Sequence, residues 1–129
     1  MAARLGLGTA LDEAAERGIP ETQAWLVDAG TRLRAALADL DGVTVADPEG
    51  ARSAIVTFVI EGLASADAVV ELARRGVRVV SVPATHGQWD LGDRGVPSVV
   101  RASPHIYNDA ADLAALVDGV EAIATGRSR

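Results

Sequence analysis

The sequence predicts an α/β chain of the two-layer α+β kind: a small, mainly antiparallel sheet of about four strands with helices on one face, in the order α-α-β-β-α-β-β-α. Three observations lead there. Apolar residues recur three and four positions apart in several long segments, the spacing of one helix face. Short β-branched runs of strand length lie between those segments. Helical and strand segments interleave with no linker, repeat or low-complexity stretch, so a single domain over residues 1–129 is expected.

The elements follow in order. Ala2 to Arg17 is Ala-rich and helix-forming; Gly18 stops it, and Pro20 suits the start of the next helix. Leu5, Leu7 and Leu11 on this first helix lack evident partners and are expected to be exposed unless other protein covers them. Glu21 to Leu40 reads as a long amphipathic helix with Leu26, Ala29, Leu33, Leu37 and Leu40 as its apolar stripe. Val43 to Ala46 reads as an edge strand and Asp47-Pro-Glu-Gly50 as a turn. Ser53 to Ile60, β-branched and almost wholly apolar, is expected to be a central strand buried on both faces. Ser65 is the expected N-cap of a helix whose core residues are Val69, Leu72 and Ala73, and Gly76 closes it. Val77 to Ser81 is a strand, Pro83 to Pro97 a polar loop, and Ser98 to Ser103 the last strand. Asn108 is the expected cap of a final helix carrying Leu113, Leu116, Val117, Val120 and Ile123 inward.

Composition excludes several chemistries. The chain of 129 residues is 49% hydrophobic but has only four aromatic residues, so its core is aliphatic. It contains no cysteine, which removes disulfides, thiolate nucleophiles and Cys-ligated metals, and agrees with a cytoplasmic setting. All twelve basic residues are arginine. Without lysine the chain has no side-chain amine for a Schiff base and no phosphate-loop lysine. A net charge of −6 with no basic cluster argues against nucleic-acid or anionic-membrane partners. No apolar run is long enough to span a bilayer, and the N-terminus lacks the pattern of a secretory signal.

The segment Val100-Arg-Ala-Ser-Pro-His-Ile-Tyr-Asn108 concentrates polar side chains between an apolar strand and a helix start. Arg101 is its sharpest element, because a guanidinium offers a rigid fork of donors that matches a carboxylate. The alternative is an arginine paired with a neighbouring carboxylate on a solvent face. His105 and Tyr107 read as structural hydrogen-bonders. His86 with Asp90 and Asp93 makes a poor metal trio, because no second histidine is near in sequence. Neither Ser81 nor Ser103 sits in a nucleophile-elbow pattern. Gly6-Leu-Gly8 follows no strand and so does not read as a phosphate loop.

Arg-Ala-Ser-Pro-His-Ile-Tyr-Asn followed by an acidic, Leu-rich helix resembles the end of class V aminotransferase-fold enzymes, which are fold-type I pyridoxal-phosphate enzymes. Gly-Leu-Gly-Thr-Ala-Leu-Asp-Glu-Ala, Ser-Ala-Ile-Val-Thr-Phe, Arg-Arg-Gly-Val-Arg-Val and Leu-Gly-Asp-Arg-Gly-Val-Pro-Ser-Val-Val-Arg-Ala-Ser fall in that family's order. The resemblance points to isopenicillin N epimerase-like, ergothioneine sulfoxide lyase-like and cysteine desulfurase-like members. It implies that the chain is the small C-terminal domain, with residues 1–19 a linking helix that contacts a large domain not in this sequence. That large domain would hold pyridoxal 5'-phosphate through its lysine; the chain itself is expected to bind no cofactor and no metal.

The resemblance further implies that Arg101 binds the α-carboxylate of an amino-acid substrate. It also implies that the loop bearing His86, Gln88 and Trp89 faces the active site. In desulfurases that loop carries a catalytic cysteine, absent here, so a lyase, epimerase or aminotransferase fits better. The expected partners are the large domain and an amino acid, with a homo-oligomer left open, and the isolated chain is expected to be inactive. The competing reading is a non-catalytic domain of the same fold that binds a small carboxylate at Arg101 or dimerises through Leu5, Leu7 and Leu11. A decayed gene product is a third reading.

Overall fold

The computed structural model describes residues 2–127, and side chains at 6–87 and 90–126. Its elements are α1 (Ala2–Arg17), α2 (Ile19–Ala38), β1 (Val43–Val45), β2 (Val56–Ile60), α3 (Ser65–Arg74), β3 (Val80–Pro83), β4 (Ser98–Ala102) and α4 (Ala110–Arg127). The four strands form one antiparallel sheet in the order β1-β2-β4-β3. This is the expected architecture and element order.

One face of the sheet makes the core. Val56, Phe58 and Ile60 of β2 and Val100 and Ala102 of β4 meet Leu33 and Leu37 of α2, Ala68 and Leu72 of α3, and Leu116, Val120 and Ile123 of α4. Three helices therefore share one face, each through an apolar stripe at helical spacing. With a single phenylalanine in the chain, Phe58 fills the centre and is fully buried.

The opposite face is less covered. Leu91, from the segment between β3 and β4, packs with Ala46 and Val99, and Val59, Val82, Ala84 and Val96 border this second cluster. That segment holds a short 3-10 turn at Ala84–His86 and a π-helical turn at Gln88–Gly92. Arg94 ties it to the sheet, donating from Nη2 to the Ala46 carbonyl at 2.9 Å and pairing with Asp90 at 3.3 Å.

Several expectations need correction. β2 is central but buried on one face only; Thr57 and Val59 on its other face are half-buried, because among the described residues only the short helical turns between β3 and β4 pack there. It begins at Val56 rather than Ser53, since residues 53–55 bend to meet Arg34. β3 lies later than Val77–Ser81, because the chain leaving α3 joins β4 only from Val80. On α3, Ala68 and Leu72 are buried, Val69 is half-buried and Ala73 is exposed.

Two caps also differ. Ala64 precedes α3 without a side-chain cap, while Ser65 is buried and its hydroxyl bonds those of Ser81 at 2.6 Å and Ser98 at 2.7 Å. A hydroxyl inside the fold finds other hydroxyls rather than the helix end. At α4 the cap is Asp109, whose Oδ1 accepts the backbone N–H groups of Ala111 and Asp112 at 2.8 and 3.0 Å. Asn108 instead accepts the His105 backbone N–H at 3.0 Å, closing the preceding turn.

Gly18, at φ 87°, breaks the chain between α1 and α2, and its left-handed backbone is one that other residues avoid. α1 then leaves the body of the domain. Leu7 and Leu11 are each 61% exposed, as expected, while the side chain of Leu5 lies outside the described residues. Among the described residues, no helix is long and apolar enough to cross a membrane.

At Gly30, α2 closely approaches the 53–55 bend that precedes β2. A Cβ there would stand 2.3 Å from the Ser53 carbonyl oxygen and 2.8 Å from Arg34 Nη1. Alanine ordinarily stabilises a helix interior by about 1 kcal/mol over glycine. Here overpacking opposes that gain by about 1–3 kcal/mol, and displacing Arg34 adds to the loss. Gly30→Ala is therefore expected to lower the midpoint of urea unfolding; an unchanged or raised midpoint would show that the close approach is not needed.

Candidate functional site

Side chains alternate across a strand. Val100 and Ala102 of β4 point into the helical core, so Arg101 points to the opposite face. Its register partners are Thr57 on β2 and Val80 on β3, which place it in the interior of the sheet rather than at an edge. Arg101 is partly exposed as a residue, yet its Nε is buried and has no hydrogen-bond partner. Among the described residues it forms no ion pair. The reading in which a neighbouring carboxylate neutralises Arg101 is thus not what the geometry shows.

The rest of the signature segment is arranged around the exit of β4. Pro104 is buried, while Ser103 and His105 are exposed. The His105 and Tyr107 rings stack with centroids 4.7 Å apart, and the Arg17 guanidinium lies 5.8 Å from the centre of the Tyr107 ring. These residues join the end of α1 to the loop before α4. They do not converge with Arg101 on one point.

His86 is exposed on its 3-10 turn. The side chains of Gln88 and Trp89 lie outside the described residues; their backbone belongs to the π-helical turn that carries Leu91 onto the sheet. Leu91 packs on Val99, two residues before Arg101, so this segment and Arg101 share the helix-free side of the sheet. Asp90 is taken by Arg94, and Asp93 is exposed.

Sequence reasoning missed a part-buried ionic network beside this site. Arg34 Nε donates to Asp47 Oδ2 at 2.6 Å, and its Nη2 donates to the carbonyls of Ser53 at 2.8 Å and Ile55 at 2.6 Å. Asp47 Oδ1 accepts the Thr57 backbone N–H at 2.8 Å and the Thr57 hydroxyl at 2.5 Å. The two charged side chains are 14% and 8% exposed. Thr57 is the register partner of Arg101. A signal was present: Gly30 and Arg34 are four apart, so they share one face of α2, and a glycine inside a helix marks a close approach.

The titratable group with a clear shift lies elsewhere. Glu71 on α3 sits below the usual carboxylate range because Arg75 hydrogen-bonds it and the Arg74 charge is adjacent. It is a surface cluster facing away from Arg101's side of the sheet, since α3 lies on the helical side.

Comparison with known proteins places this arrangement. Residues 1–116 match the family described as aminotransferase class-V. A probable cysteine desulfurase of Halalkalibacterium halodurans is 31% identical over 123 residues, covering 94% of this chain and 29% of that protein. The crystal structure of the cysteine desulfurase CsdA from Escherichia coli superposes with a TM-score of 0.81 at 29% identity, covering 95% of this chain and 30% of that one. A cysteine desulfurase from Thermococcus onnurineus shares the fold, with a TM-score of 0.66 at 22% identity over 81% of this chain and 26% of its own. The chain thus spans under a third of the length of these relatives. Of the three kinds of member that the sequence resembles, these relatives represent the desulfurases. With the family matched over 116 of 129 residues and the fold shared across the sheet that presents Arg101, this chain belongs to the class V aminotransferase family.

Proposed function

We propose that this chain forms the small-domain part of a class V aminotransferase-like, pyridoxal-phosphate-dependent enzyme acting on an amino acid, and that Arg101 holds the substrate α-carboxylate. The observation that carries this reading is that Arg101 combines a buried, unpartnered Nε with the lack of any ion pair among the described residues, whereas Arg34, whose Nη1 is also unpartnered, is neutralised by Asp47. An unpaired donor out of water costs about 1–3 kcal/mol, and a carboxylate laid against the guanidinium edge would satisfy it. Arg101 would act by orientation alone, setting the substrate relative to groups held by other protein.

The chain's residues do not fit the cofactor itself. They include no lysine, hence no side-chain amine to bind pyridoxal phosphate covalently. The cofactor, its lysine and its phosphate contacts are assigned to a large domain outside this sequence. α1 reads as the linking helix to that domain, with exposed Leu7 and Leu11 supplying its contact face. His86, Gln88 and Trp89 would border the pocket from the segment beside Arg101. Because the chain has no cysteine, a lyase, epimerase or aminotransferase reaction is favoured over persulfide formation. A cytoplasmic location agrees with the absence of cysteine.

Two measurements test this. In enzyme assembled from this chain and a lysine-bearing large domain, Arg101→Gln should weaken use of the amino-acid substrate about 10- to 100-fold, the loss of a charged hydrogen bond of about 1.5–3 kcal/mol. The cofactor's visible absorption should be unchanged. Equal kcat/KM in the two enzymes would remove Arg101 from the site. Separately, calorimetry of the chain alone with amino acids should show no binding tighter than about millimolar, because an incomplete pocket gains too little to offset the entropy of association. Micromolar binding would favour a free-standing carboxylate-binding domain instead.

A further inference from the structure

We propose that Arg34 is a positioning residue that keeps Arg101 available: by sequestering the Asp47 carboxylate, it prevents that carboxylate from pairing with Arg101. The inference rests on reading Arg101 as an anion-binding group and adds the device that keeps it free.

Three observations carry it. First, Thr57 and Arg101 are direct partners across β2 and β4, on the same face of the sheet. Directly opposed residues stand about 5 Å apart at Cβ. Second, the Thr57 hydroxyl and N–H hold Asp47 Oδ1 at 2.5 and 2.8 Å, so a buried carboxylate is one side chain away from Arg101. Asp47 follows β1, so two strand spacings of about 4.8 Å separate its backbone from β4, and its carboxylate spans part of that gap by leaning onto Thr57. Third, the other oxygen, Oδ2, is taken by Arg34 at 2.6 Å, and Arg34 is locked by the Ser53 and Ile55 carbonyls. Both carboxylate oxygens are thereby occupied, and Arg101 Nε is left without a partner.

The energetic logic is direct. A buried carboxylate requires a cation. Beside Arg34, two other guanidinium groups border Asp47: Arg94, which is held by the adjacent Ala46 carbonyl and by Asp90, and Arg101, which stands opposite Thr57. Without Arg34, Asp47 is a part-buried charge that has lost its cation; Arg94 is already paired with Asp90, and Arg101, opposite Thr57, has no ion pair among the described residues. An internal pair at Arg101 would compete with any external carboxylate, and the apparent affinity falls by the fraction of molecules left unpaired.

Arg34→Gln is the test variant, because its amide ends at about the place of the arginine Nε, so it can still donate to Asp47 while losing the charge and the bonds to the Ser53 and Ile55 carbonyls. The readout is the rate at which an arginine-selective dicarbonyl reagent, phenylglyoxal, labels Arg101 in the full chain, followed by peptide mass spectrometry. Exposed Arg52 serves as the internal reference. Arg34→Gln should slow labelling of Arg101 about five- to tenfold, as an internal ion pair reduces the free fraction. Adding Asp47→Asn to it should restore the wild-type rate. A purely structural role for Arg34 would shift the urea midpoint in Arg34→Gln without slowing the labelling of Arg101.

Asp47→Asn alone keeps an acceptor for Thr57, so it tests the idea even if Arg34→Gln fails to fold by circular dichroism. Its labelling rate should match the wild type, since Asp47 is already sequestered. Faster labelling in that variant, or an unchanged rate in folded Arg34→Gln, overturns the proposal. In the assembled enzyme, Arg34→Gln should raise the substrate KM and leave kcat near the wild-type value, again with rescue by Asp47→Asn. Labelling that follows this pattern while Arg101→Gln leaves kcat/KM unchanged would sustain the sequestration and sink only the carboxylate role.

Discussion

Strand alternation on β4 governs how this domain is put together. Val100 and Ala102 must enter the core formed with Phe58, Leu72 and Val120, and a period of two then sends Arg101 to the other face. Slipping the register by one residue would drive a guanidinium into the aliphatic core and turn Val100 and Ala102 out. The hydrophobic requirement of one face thus sends Arg101 to the other, where Leu91 and Val99 form a second, smaller apolar cluster. The charge at Arg101 is placed by the packing of its neighbours, with no dedicated scaffold of its own.

The Arg34–Asp47 pair performs a related task at the opposite side of β2. Buried ion pairs contribute little net stability, because desolvation offsets most of the attraction. What this one does is geometrical. It fastens α2, the turn after β1 and the 53–55 bend to one point, using both carboxylate oxygens and two backbone carbonyls. Gly30 makes room for it, since any larger residue would strike the Ser53 carbonyl. The arrangement explains why the β2 ladder starts at Val56: the carbonyls of Ser53 and Ile55 are turned to the arginine.

Element types and their order were legible because they depend on local periodicity. Leu33 and Leu37 on α2, Leu116, Val120 and Ile123 on α4, and the β-branched run in β2 each carry their own signal. What was not legible depended on residues far apart in the chain. Ser65 has the local signature of a cap, yet its hydroxyl is drawn to Ser81 and Ser98, which sequence separates from it by 16 and 33 positions. Asp47 has the local signature of a turn, yet it is the buried anchor of a helix thirteen residues earlier. Arg101 was singled out by its setting among Val and Ala, but its freedom from any carboxylate emerges only once β2, β4 and α2 are assembled.

That freedom bears on the proposal that other protein completes the site. An isolated, stable fold would be expected to pair its buried donors internally. This one pairs both oxygens of Asp47 while leaving Arg101 Nε, like Arg34 Nη1, without a partner, although Asp47 and Arg101 both border Thr57 of β2. The exposed leucines of α1 repeat the pattern in apolar form, with Leu7 and Leu11 turned to no described partner. Polar and apolar deficits thus occur together, at the helix that leads into the domain and on the sheet face that no helix covers. Both deficits are met at once if other protein packs on α1 and closes over the face that presents Arg101. In that arrangement the free arginine lies between two bodies, where a small carboxylate can be enclosed and desolvated, and where its charge-assisted bonds are strongest.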